Sequence, residues 1–365
     1  MISSFPSLDK IAFLLGSSSN HLYKLALPGS DFISIQNDPG TSVEDEVSNQ
    51  PEAFFTVLQE HMGFKASMVP EEVEKDSFSQ NCRAEVNAID IFFPGTLSDN
   101  IRICFAAWLA FACAMDDILE TLPSDLGQAV LCDCIEIIEG RLPDVSNGTQ
   151  DFTGDTRIQD LTRTLHQHVT RHLRHETCRA FFREVCSVLY AHIDEFLFLN
   201  GRIPQDLDTY MSIRSRTISL NPFFEVIKCE YFPTSWRPNM AWERLQEAVS
   251  SAAGLQNDLV GLERDIQNGE QMNAVVVLMR SRTRTRSTNE PRSLLAQCVD
   301  TTVNEHNRRV EIVFRQAARI LEMNEGDLSA AATSQVVQHI VTLARTHLKW
   351  CASAKRYMVR LGDDA

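Results

Sequence analysis

The stretch LSDNIRICFAAWLAFACAMDDILETL, beginning at Leu97, constrains the fold more than any other part of the chain. Read as a helix starting near Ser98, it carries apolar side chains on nearly every side. Such a helix is stable in water only when other elements enclose it. It must therefore be central, and it needs many partners. It also ends in three acids, Asp116, Asp117 and Glu120. Acids beside a core are costly unless they reach water or neutralise a cation.

The partners are supplied by the rest of the chain. From about residue 53 onward apolar residues recur with a helical period, strand-like alternation is sparse, and no βαβ rhythm or internal repeat appears. The pattern predicts an all-α protein with one helical domain over residues 53–365. Residues 1–52 form an N-terminal segment that is partly loop, with NDPGTSVEDEVSNQPE as an acidic connection. LTRTLHQHVTRHLRHETCRAFFREVCSVLYAHIDEFLFLNG reads as helical up to Gly201. DLDTYMSIRSRTISLNPFFEVIKCEYF carries Pro222 in its middle, which predicts a broken helix. MAWERLQEAVSSAAGLQNDLVGLERDIQNGE is helical up to Gly269, and AVVVLM lies in a further helix. RSRTRTRSTNEPRS, 280–293, reads as a polar loop, and the last helix ends at Gly362.

Composition narrows the function. The chain has 365 residues, is 44 % hydrophobic and carries a net charge of −15. An acidic chain lacks the basic footprint that nucleic acid requires, and no run is long and apolar enough for a membrane span. The first twenty residues lack a basic leader and are read as mature sequence, which places the protein in the cytoplasm. Ten scattered cysteines with no CxxC fit buried thiols in a reducing compartment.

Four constellations carry chemistry. In AMDDILE, Asp116 and Glu120 are four apart and share a helix face with room for a hard cation such as Mg²⁺. In NDLVGLERD, Asn257, Gly261 and Asp265 form one stripe, with Arg264 beside it. In IRSRTISLNP, Arg214 and Arg216 precede a helix interrupted near Ser219 and Pro222. Arg356 and Tyr357 follow Trp350 and offer a planar fork and a hydroxyl to a phosphate. Each has a plain reading as well: an emerging helix end, a solvated face, a packing kink, an ordinary surface pair.

Together the four resemble the class I terpene synthases, specifically those of fungi, whose motifs occur in this order. DDILE resembles their aspartate-rich motif, and NDLVGLERD resembles (N/D)DxxSxxxE. RSRTISLNP resembles RRxTxGxxP, and the terminal Arg–Tyr pair is also present. The resemblance spans residues 116–357. It implies an α-helical bundle with a central active-site cavity, in which the two acidic motifs face each other. It implies that Asp116, Asp117, Glu120, Asn257 and Asp265 hold three Mg²⁺ ions, with Mn²⁺ as a substitute. Arg214, Arg264, Arg356 and Tyr357 then bind the diphosphate of a linear prenyl substrate, and Asp116, Arg214, Asn257, Arg356 and Tyr357 carry ionisation. Phe105, Leu109, Ala112, Cys113, Ser219, Phe223 and Trp350 line the pocket, with Trp108 and Phe224 as further aromatic candidates. The wording TISLNPFFEVIK looks most like a subgroup making humulene- and brasilane-type sesquiterpenes. The expected reaction is cyclisation of farnesyl diphosphate with 1,11 closure by a monomer or homodimer. A diterpene synthase acting on geranylgeranyl diphosphate, a chain-elongating transferase and a non-catalytic helical scaffold are the alternatives.

The departures from the family pattern are specific. Its Ser is Gly261 and its last Glu is Asp265; its second Arg is Ser215 and its Gly is Ser219. Glycine offers no ligand, so a water would complete the shell, and a serine restored at 261 is expected to be tolerated. Arg214 is favoured over Arg216 as the diphosphate sensor. His168, His172 and His175 fall at i, i+4, i+7 and read as a solvated face in preference to a zinc site.

Overall fold

The computed structural model describes residues 24–27, 30–34, 52–95, 97–141, 156–285, 291–323 and 329–353. Twelve α-helices make up almost all of this: α1 Glu52–Met68, α2 Phe78–Phe92, α3 Asp99–Leu119, α4 Ser124–Ile138, α5 Arg157–His172 and α6 His175–Leu199. They continue with α7 Leu207–Thr217, α8 Asn221–Tyr231, α9 Met240–Asn268, α10 Ala274–Thr285, α11 Pro291–Met323 and α12 Ala330–Ser353. The all-α expectation holds. The one addition is a short antiparallel hairpin, β1 Lys24–Leu27 and β2 Ser30–Ser34, in the segment read as partly loop.

The helices fall into two compact units, each drawn from separated parts of the chain. The first contains α1 to α5, α6 as far as Phe196, and α8. The second contains the end of α6 from Leu197, then α7, α9, α10, α11 and α12.

In the first unit α3 is the central helix that its composition demands. Phe105, Trp108, Phe111 and Met115 are fully buried. Phe105 packs edge-on against Phe223 of α8 at 4.7 Å between ring centres and lies tilted against Phe93 at 5.1 Å. Trp108 stacks on Phe111 and meets Phe181 of α6 edge-on. Arg102 fixes the start of α3 by a fork onto Asp90, with nitrogen–oxygen distances of 2.8 and 2.9 Å from one amino group. Helix α4 meets α6 at Gly127, where a side chain would run into the tip of the Phe196 ring.

The histidines differ from their reading as a solvated face. His168 is buried on α5, its ring 4.7 Å from Phe64 and 4.7 Å from His172. His175 is exposed and opens the next helix, because the pattern breaks at Leu173. Burial, reinforced by His172, holds the His168 imidazole down to about 4.

In the second unit α9 is the backbone of the core. Asn239 caps it, its side chain accepting from the amides of Ala241 and Trp242 at 2.9 and 3.3 Å. Gly269 ends it in the left-handed conformation, φ 78°, the ordinary role of glycine at that position. Buried Gln256 ties α9 to α11 and α12. Its amide donates to the Ala344 carbonyl at 2.7 Å and contacts His306 Nε2 at 3.1 Å, while its oxygen contacts His347 Nδ1 at 3.0 Å. The RSRTRTRSTNEPRS loop is shorter than its composition suggests: α10 continues to Thr285 and α11 begins at Pro291, where proline is tolerated in a first turn. All ten cysteines are free thiols, most of them buried.

Candidate active site

The acidic motif DDILE sits at the C-terminal end of α3. Glu120 is the cap residue, its amide donating to the Asp116 carbonyl at 3.1 Å, and the last turn carries no basic residue. Carboxylates at this end oppose the helix dipole, whose C-terminus is the negative pole. A cation is the natural compensation. Asp116 is half-buried, and Asp117 and Glu120 are exposed. Upstream, Leu109, Ala112 and Cys113 are also half-buried, while Trp108, Ala110 and Phe111 between them are sealed. They lie seven, four and three residues before Asp116, so one open stripe leads along a buried helix to the acids. Phe105, eleven residues before Asp116, shares that helix face but is fully buried, packed against Phe223.

The helix break expected near Ser219 is present. Helix α7 ends at Thr217 and α8 starts at Asn221, with Pro222 in its first turn. Ser219 has φ 66°, the one positive φ at a non-glycine among the described residues. This explains why the family pattern has glycine at this place, since the left-handed region strains a side chain. The Ser219 carbonyl accepts from the Trp108 indole at 2.8 Å. The indole thus satisfies a carbonyl released by the break, a role its aromatic character alone did not reveal.

The second motif lies on α9, where α7 crosses it. Arg214 donates to Asn257 Oδ1 at 2.8 Å and pairs with Asp258 Oδ1 at 3.0 Å. Gly254, one turn before Asp258, makes room for its stem: a Cβ there would stand 2.8 Å from Arg214 Cγ. Arg216 instead returns to its own helix, donating to the Ser212 carbonyl at 3.2 Å.

Asp258 is fully buried and belongs to a network. Tyr210 of α7 donates to its Oδ2 at 2.5 Å, and the Ala274 amide donates to the same oxygen at 3.0 Å. Burial raises the Asp258 carboxyl, opposed by Arg214 and the Tyr210 hydroxyl. Asn273 is buried beside it. Its amide donates to the Asp258 carbonyl at 2.8 Å and to Asp265 Oδ2 at 2.9 Å, and its oxygen accepts from the Val275 amide at 2.9 Å. Burial lifts the Asp265 carboxyl to about 6, against the pull of the Asn273 amide. Gly261 is buried, and a Cβ there would stand 3.3 and 3.4 Å from the two Asp265 carboxylate oxygens.

Sequence reasoning missed Gly254, Tyr210, Asn273 and Trp108's bond. Only the Asp258 position next to Asn257 hinted at a buried anchor. Trp350, on α12, is half-buried with its ring 5.8 Å from His347. Arg264 is half-buried. Arg356 and Tyr357 lie outside the described residues.

Asn257 and Asp265, with Asp116, Asp117 and Glu120, make donor sets composed entirely of oxygen. These suit a hard divalent cation. The half-buried Asp265 carboxylate, pushed upward by burial, is one that a cation would relieve. The residues present therefore fit such an ion.

The almost wholly helical architecture is that of the class I terpene synthase fold. The profile described as terpene synthase family 2, C-terminal metal binding, matches residues 107–311. That is more than half of the chain, and the protein belongs to this family, whose members are divalent-metal lyases of prenyl diphosphates. Solved structures share the fold. The linalool/nerolidol synthase of Streptomyces clavuligerus is 13% identical with a TM-score of 0.63, covering 82% of this chain and 96% of that one. The 2-methylisoborneol synthase of Streptomyces coelicolor A3(2), in complex with Mg²⁺ and geranyl-S-thiolodiphosphate, is 13% identical with a TM-score of 0.64, covering 88% and 98%. A hedycaryol synthase in complex with nerolidol is 13% identical with a TM-score of 0.60, covering 85% and 100%. No curated protein matches the chain by sequence. Among the described residues, no helix is long and apolar enough to cross a membrane.

Proposed function

We propose that this chain is a Mg²⁺-dependent sesquiterpene synthase that ionises farnesyl diphosphate and cyclises the resulting cation. The observation that carries this reading is the cluster of Arg214, Asn257 and Asp258 beside the Asp265 carboxylate. It joins a fixed guanidinium to hard oxygen donors, the combination a metal-bound diphosphate requires.

Asp116, Asp117 and Glu120 form one donor set, and Asn257 with Asp265 the other. Three Mg²⁺, replaceable by Mn²⁺, would neutralise charge developing on the departing diphosphate. Arg214 presents donors already oriented by Asn257 and Asp258, so little reorganisation is left for the moment of bond cleavage. Arg264, Arg356 and Tyr357 bind the same diphosphate. Leu109, Ala112 and Cys113 contribute apolar surface leading up to Asp116, and a dry surface protects the cation from water. Trp350 presents a ring face that can stabilise positive charge. Phe105 and Phe223 back the α3 surface with packed aromatic rings, and Ser219 fixes the turn before α8.

The neighbours holding geranyl-S-thiolodiphosphate and nerolidol support a prenyl diphosphate substrate of this size range. The TISLNPFFEVIK wording supports the fungal subgroup and a humulene-type 1,11 closure. The catalytic domain is assigned to residues 53–365, acting as a monomer or homodimer in the cytoplasm. Incubation with Mg²⁺ and geranyl, farnesyl or geranylgeranyl diphosphate, followed by gas chromatography–mass spectrometry, tests the reading. A cyclic C15 hydrocarbon from farnesyl diphosphate is expected. A C20 product alone would make it a diterpene synthase, a longer diphosphate a transferase, and no product from any substrate a scaffold.

A further inference from the structure

We propose that Asn273 is a positioning residue for the divalent metal, acting through Asp265, and that Gly261 is glycine because the Asp265 carboxylate occupies its side-chain space. This rests on the reading of Asp265 as a metal ligand.

The geometry is specific. Asp265 stands one turn after Gly261 on α9, and its carboxylate turns back over the glycine, 3.3 and 3.4 Å from where a Cβ would be. The shorter distance is tighter than most such contacts, so a side chain at 261 makes the carboxylate give way by a few tenths of an ångström. The Asn273 amide holds Oδ2 in that orientation at 2.9 Å. Asn273 itself has little freedom. It is fully buried, its second amide hydrogen goes to the Asp258 carbonyl at 2.8 Å, and its oxygen accepts from the Val275 amide at the start of α10. The rigid junction between α9 and α10 is thereby transmitted to one carboxylate. Outer partners of this kind orient ligands and set metal affinity. The missing serine and the shortened acid are then one arrangement: a short acid folded over a bare helix position.

The test is Mn²⁺ titration of the full chain in the presence of inorganic diphosphate, with free Mn²⁺ read by electron paramagnetic resonance. Asn273→Ser keeps a residue able to cap α10 but is too short to reach Asp265. It is expected to weaken Mn²⁺ binding by about 10-fold. In an Asp265→Asn background the same change should have almost no further effect, because a residue acting through Asp265 has nothing left to position. Gly261→Ala should weaken binding as well; alanine is the better helix former, so that loss cannot come from a weakened helix. Unchanged affinity in Asn273→Ser and Gly261→Ala, with Asp265→Asn clearly weakened, would overturn the inference and leave Asp265 as a ligand. Unchanged affinity in Asp265→Asn would overturn the ligand reading itself.

Discussion

The stem of Arg214 lies across the bare α-carbon of Gly254, so closely that a Cβ would stand 2.8 Å from its Cγ. The contact is near the root of the side chain, where a rotamer change cannot relieve it without moving the guanidinium. Gly254→Ala should therefore take Arg214 away from Asn257 and Asp258. Overpacking of about 1–3 kcal/mol is offset in part by the ~1 kcal/mol helix preference of alanine. The fold should survive while diphosphate affinity falls by roughly tenfold or more, the worth of one charge-assisted hydrogen bond. Calorimetric titration with inorganic diphosphate reads this, and wild-type affinity would show that Arg214 is not positioned by this crossing.

Tyr210→Phe removes the 2.5 Å hydrogen bond to Asp258, a carboxylate with no exposure to water. Leaving a buried acceptor short of a donor costs about 1–3 kcal/mol. Urea unfolding should show a lower midpoint. An unchanged midpoint would mean that Arg214 and the Ala274 amide suffice.

Ser219→Gly relaxes a side chain held at φ 66°. Left-handed backbone costs about 1–2 kcal/mol for a residue with a Cβ, and the extra unfolded-state entropy of glycine cancels roughly 0.4–1 kcal/mol of that. A small rise in melting temperature is expected. Ser219→Val should do the opposite, since β-branched residues tolerate this region worst. A fall in melting temperature for the glycine variant would contradict the strain.

Stability should depend on pH below neutrality. Burial lowers His347 to about 3 and His306 to about 4, with Arg214 adding to the effect at His347. The hydrogen bonds agree, because the Gln256 amide already faces His306 Nε2. In the unfolded chain both protonate near the ordinary ~6.5. The unfolded state then binds more protons, so stability falls as pH drops from about 6.5 toward about 4, by up to ~1.4 kcal/mol per pH unit for each histidine. Melting temperatures from pH 7.5 to 5 should decline, and His347→Gln should flatten the slope. The raised Asp265 and Asp258 carboxyls act in the opposite direction, so the decisive reading is the difference between the two profiles: a slope left unchanged by His347→Gln would show that His347 accepts a proton in the folded state.

Asp116→Asn and Asn257→Ala each remove a proposed metal ligand and should abolish most turnover with farnesyl diphosphate. Asparagine at 116 also lessens the unfavourable charge at the end of α3, so the variant should be more stable by about a few tenths of a kcal/mol. Near-normal turnover in both variants would remove the metal assignment. Gly261→Ser separates the two stages of reasoning. By pattern it restores a family ligand and is tolerated; by geometry its Cβ crowds Asp265, and activity should fall.

The helix content, the centrality of α3, the break before Pro222 and the end of α9 at Gly269 were all legible in the sequence. Each depends on local chemistry: apolar periodicity, proline's missing donor, glycine's freedom. The motif positions Asp116, Arg214 and Asn257 were legible because they sit in short runs whose spacing survives without coordinates. What touches them was not. Gly254, Tyr210 and Asn273 are single unremarked residues, 40, 48 and 8 positions from Arg214, Asp258 and Asp265, the groups they serve. The burial of His168 was likewise set by a neighbour distant in the chain, Phe64. Sequence by itself determined which helices form and where their acids and arginines stand. Tertiary structure decided that Arg214 meets Asn257 across a bare glycine, and that Asp265 folds over Gly261 under the Asn273 amide. Hydrogen-bond direction and van der Waals contact act through space between helices, and no periodicity along one helix encodes them.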